Sequence, residues 1–112
     1  MLSILAAPAY AQEQEAAELD PIELCGMLGE TSDSIFRARN AGVPLTQLLQ
    51  VVNSSLEEGE SEDDWIHRVN ESMIRDIYAL QRFSTEEYQA RQAAEFRAAF
   101  ELECLEVLEA QD

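Results

Sequence analysis

Lysine is absent from this chain of 112 residues. All seven basic residues are Arg, and 23 acidic residues face them, for a formal net charge of −16. Without Lys there is no phosphate-binding loop of the G-x-x-x-x-G-K-[ST] kind. A chain this short of cations has no basic face for a phosphate backbone, so nucleic acid is excluded as a partner. An anionic membrane surface is excluded on the same ground. Such a chain repels itself at low salt, and saline surroundings screen that repulsion. Histidine is nearly absent too: His67 stands alone. With one His and two distant Cys, no zinc site is expected. Ser and Asp are plentiful, but nothing positions a nucleophile against His67. After the acids, one turn into a helix, His67 is expected to face solvent or to pair with Glu71. Also missing is any apolar run of membrane-spanning length. No strand pattern and no internal repeat is present.

The chain has room for one domain at most, with a modest core. Residues 1–11, MLSILAAPAYA, carry no charge and end in Ala9-Tyr10-Ala11, ahead of a polar, acidic run. They read as the back half of a secretory signal peptide, followed by a flexible lead-in over 12–19 and a helical domain over 20–110. Cys25 and Cys104 fit an extracytoplasmic disulfide in their wide separation. In a cytosolic protein they would be buried thiols. If joined, they tie the first helix to the last.

The first helix is well marked. Asp20 is a suitable N-cap, Pro21 stands at the first helical position, and Glu23 falls three after the cap. Ile22, Cys25, Gly29, Ser32, Ile35, Phe36 and Arg39 share one face. The small residues Gly26 and Gly29 suggest close approach of another backbone. Gly42 is placed to take the left-handed C′ conformation, and Pro44 bars continuation. Arg39, near that C-terminus, is placed to bond free carbonyls, to reach Asp76 or to stack on Tyr78.

A second helix from about Pro44 to Leu56 carries a narrow stripe of Leu45, Leu48, Leu49, Val52 and Leu56. Glu57, Glu58, Glu60, Glu62, Asp63 and Asp64 then form an acidic loop. The loop lacks EF-hand spacing, and a solvated charge run is its plainer reading. Weak divalent-cation binding is the alternative. Ser61 and Asp64 suggest a capping box for a third helix, with Trp65, Ile66, Val69, Met73, Ile77 and Leu80 toward the core. Ser84-Thr85-Glu86-Glu87 is a fuller box, with a Phe83–Tyr88 staple, for a fourth helix to about Leu108. Its face is Ala93, Phe96, Phe100, Cys104 and Leu108. The expected fold is all-α, a small bundle of about four helices.

Cys25, then Arg39 with Gly42 and Val43, then Ile74 with Ile77 and Tyr78, then Ser84 and Cys104 follow in order. The pattern resembles that of a group of small exported proteobacterial proteins of unknown function. Pro44 stands where the pattern often has a capping Ser or Thr, and no proline falls between Tyr78 and Ser84. The resemblance implies a signal peptide, a disulfide and helices, hence a periplasmic or secreted protein, and it implies no activity or cofactor. The reading that follows is a non-catalytic interaction or structural module. Its protein partner, of basic character, would dock on the weakly held second helix beside the acidic loop. Binding a divalent cation through the loop is the rival.

Overall fold

The computed structural model describes residues 20–54 and 64–110. Four helices follow in order: α1 (Pro21–Asn40), α2 (Leu45–Ser54), α3 (Trp65–Ala79) and α4 (Glu86–Ala110). The described residues include no strand. A disulfide joins Cys25 of α1 to Cys104 of α4.

Local chemistry sets the helix ends. The Asp20 carboxylate accepts the Glu23 N–H at 2.9 Å, and Pro21 begins α1. At the other end Gly42 takes φ 93°. The Gly42 N–H then bonds the Arg39 carbonyl and the Val43 N–H the Ala38 carbonyl, both at 3.0 Å. That pair of reversed bonds is a Schellman closure, and the left-handed residue at its centre suits glycine. α3 is capped by Asp64, whose carboxylate accepts the Ile66 N–H at 3.2 Å. Asp64 is therefore the N-cap itself and not the N3 acid of a box begun at Ser61, which lies outside the described residues. Thr85, one residue later than Ser84, caps α4 by accepting the Tyr88 N–H at 3.3 Å. The Phe83 and Tyr88 rings still meet, at 6.0 Å between centroids.

α1 is the central element. It packs closely with α4 and with α3, while α2 packs on α3. Cys25 meets Cys104 and Phe36 meets Phe96, so α4 runs antiparallel to α1. Phe36, Ile74 and Ile77 are the largest fully buried side chains, with Leu28, Ile35 and Met73 around them. The buried face of α1 differs from expectation at two places. Ile22 is 71% exposed, being a turn beyond the disulfide, and Leu28 is buried instead. On α3 the buried positions are His67, Met73, Ile74 and Ile77, while Ile66 and Leu80 are exposed. At Gly29 the neighbour is a side-chain pair, not backbone. Arg97 and Glu101 of α4 lie across it, and Arg97 also pairs with Asp33 at 2.6 Å. Around Gly26 no such crowding exists.

One polar knot closes the end of the bundle where α1 and α3 finish. Arg39 is buried and donates to the Leu80 carbonyl just past α3, not to Asp76. Arg82 donates to the Asn40 carbonyl at 3.0 Å, and the Tyr78 hydroxyl donates to the Val43 carbonyl at 2.6 Å. The predicted trio Arg39, Gly42 and Tyr78 thus converges on one chain reversal. Burial lowers the Arg39 pKa, helped by the Arg82 charge. Burial raises that of Tyr78 above the usual phenol value. A phenol whose folded pKa is raised stabilises the fold below its unfolded value near 10, and that contribution is lost as pH climbs through the folded value. Urea titrations from pH 8 to 11.5 should therefore show stability falling above about pH 10. Tyr78→Phe should cost about 1 kcal/mol at pH 8 and flatten the alkaline decline. An alkaline slope identical in the variant would show that Tyr78 is not its source.

Candidate interaction surface

α3 and α4 both lean on α1, and they are splayed from each other. Between them runs a groove of about 320 Å³. Its walls are two apolar stripes at helical spacing: Trp65, Val69 and Met73 from α3, and Phe96, Phe100 and Val107 from α4. Met73 is buried, Val107 is 47% exposed, and the others are half-buried. Cys104 lies in the lining, so the disulfide anchors the groove from beneath. The aromatic side continues into the core. Phe100 stacks on Phe96 at 6.4 Å, and Phe96 meets Phe36 edge-on at 5.5 Å. Its charged members are Arg68, Asp76 and Glu103.

The stripe predicted on α2 has a different setting. Leu45, Leu48, Leu49 and Val52 are half-buried and pack against the core cluster. Leu48 and Val52 face Ile35 and Ile74 across a smaller cavity of about 170 Å³. α2 ends at Ser54, and Leu56 lies outside the described residues. Val51, 54% exposed, is the large apolar side chain that α2 leaves in solvent.

The chain matches no protein-family model, no curated protein and no solved structure.

His67 is buried on α3, not solvent-facing; its Nε2 lies 3.5 Å from the Glu71 carboxylate but makes no hydrogen bond. Residue 67 lies seven before Ile74, two helical turns along the same face, and that spacing was the available sign. Of the acidic-loop residues, Glu57, Glu58, Glu60, Glu62 and Asp63 lie outside the described residues, and Asp64 caps α3. Among the described residues no three His, Cys, Asp or Glu side chains come together as a metal ion requires. No described helix is long and apolar enough to cross a membrane.

The groove is at the small end of the range for ligand pockets, roughly 300–1,000 Å³. Its polar lining residues are Arg68, Ser72, Asp76 and Glu103. An open furrow of that shape suits an apolar helix face better than a small substrate.

Proposed function

We propose that this chain is an exported, non-catalytic interaction module, and that the α3–α4 groove is where its partner docks. The observation that carries the reading is the paired stripe of half-buried aromatic and aliphatic residues between two helices that do not close on each other. An apolar groove between two helices is one established way to take an amphipathic partner helix. The disulfide agrees with an oxidising compartment, and the Ala9-Tyr10-Ala11 pattern supports export.

The test is a photo-crosslinking amino acid placed at Val107 and, as a control, at Val51, exposed on α2 and outside the groove lining. Cells exporting the protein with a complete leader are irradiated, and adducts are identified by mass spectrometry. A discrete adduct is expected from position 107 and none from 51. Equal labelling from both positions, or none from 107, would remove the groove as the docking face.

A further inference from the structure

We infer that the occupant of the α3–α4 groove is a basic amphipathic helix; this rests on the docking role proposed above and names the partner's chemistry. Three observations converge. First, the furrow follows α3 from Trp65 to Asp76, about 17 Å at 1.5 Å per residue, the length of three helical turns. A guest helix there would complete a four-helix arrangement with α1, α3 and α4 and cover the remaining exposed part of the half-buried walls, Val107 above all. Second, charge is one-sided. The lining holds Arg68 against Asp76 and Glu103. Beyond it the last two turns of α4 carry Glu106 and Glu109 with no basic residue, while Glu101 is turned to α1 and paired with Arg97. The α4 C-terminus adds the negative end of its dipole on that side. Third, the whole chain carries −16. An acidic or neutral guest would meet repulsion or indifference, whereas cations flanking an apolar face gain on approach and in the complex.

Trp65 is the single tryptophan and stands in the groove wall, so its emission reports occupancy directly. The experiment uses the full, disulfide-bonded chain and synthetic helical peptides of about 14 residues, four turns long. All share one leucine face and lack tryptophan. Their polar positions are Arg, Gln or Glu. A fourth peptide keeps the Arg content with the leucines scrambled. The Arg peptide is expected to shift Trp65 emission to shorter wavelength, saturably, and to bind at least about tenfold tighter than the Gln peptide. Raising NaCl from 50 to 500 mM should weaken it by about tenfold. The scrambled peptide should give no shift. Val107→Arg, at a position 47% exposed, should lower the Arg peptide's affinity about tenfold or more by removing apolar contact and adding like charge. Asp76→Asn with Glu103→Gln should bring the Arg and Gln peptides closer together.

Equal binding of the Arg, Gln and Glu peptides would overturn the basic character of the guest and leave the docking groove standing. No emission change with any peptide would overturn both. A Trp65 shift that appears on concentrating the protein alone would assign the groove to a second copy. A shift to longer wavelength on removing residues 1–11 would assign it to the chain's own apolar segment. Either result replaces the basic helix.

Discussion

Cys25→Ser is expected to lower the melting temperature by about 10–30 °C under oxidising conditions, and reductant should do the same to the wild type. The bond closes a loop with a sequence separation of 79. In the chain-entropy argument, removing that closure frees the unfolded chain by up to about 4.5 kcal/mol, often less. A domain of this size loses about 4–8 °C per kcal/mol. The position adds to the effect. Cys25 and Cys104 are both buried in the core cluster, so a serine there puts a hydroxyl among apolar side chains. Calorimetry with and without reductant measures the drop, and thiol alkylation confirms the redox state. A fully reduced chain melting where the oxidised chain melts would show that α1–α4 packing holds the bundle unaided. The same variant should loosen the groove, because Cys104 lies in its lining.

Legibility from sequence followed the range of the interactions. The α1 caps were readable because a cap needs only neighbours in sequence: Asp20 with Glu23, and Gly42 with Arg39 and Ala38. At α4, Ser84 and Thr85 are both good caps, and the choice of Thr85 depends on how the preceding connection is held. Gln89 donates to the Phe83 carbonyl and Gln92 to the Gln81 carbonyl, bonds that no cap pattern encodes. The disulfide pairing was readable because two cysteines allow one pairing. The face of α3 was only half readable. Its apolar residues span more of the circumference than α1 and α2 cover, and periodicity does not say which part is covered. His67, Ile74 and Ile77 go to the core, Ile66 and Leu80 go to solvent, and Trp65 and Val69 remain at an edge. That uncovered remainder, facing Phe96 and Phe100, is the groove. Of the wall residues, periodicity assigns Trp65, Val69, Met73, Phe96 and Phe100 to the core and leaves Val107 on no face. Only the splay of α3 from α4 turns them into a surface.

Phe36→Ala should cost about 3–5 kcal/mol, a large share of the roughly 5–15 kcal/mol typical of a domain. Phe36 is 1% exposed at the centre of the cluster, where α1 meets α4. Truncation removes the transfer energy of the ring and leaves a cavity that three packed helices fill only in part. It also removes the edge-on contact to Phe96 at 5.5 Å, a geometry that contributes about 0.5–1.5 kcal/mol beyond area. Phe36→Leu keeps most of the volume and should cost far less, with the lost ring contact remaining as its main effect. The leucine variant is the informative one for function. Phe96 is held between Phe36 on one side and Phe100 on the other, and both Phe96 and Phe100 form the groove wall. If the core sets the wall's geometry, Phe36→Leu should fold cooperatively, melt a few degrees lower and bind the arginine-faced helix several-fold more weakly. Denaturant melts and the Trp65 titration, run on one preparation, separate the two effects. Unchanged affinity in a destabilised variant would show that the wall is set from the α3 side, by Met73 and Val69, and that the aromatic chain transmits nothing to it.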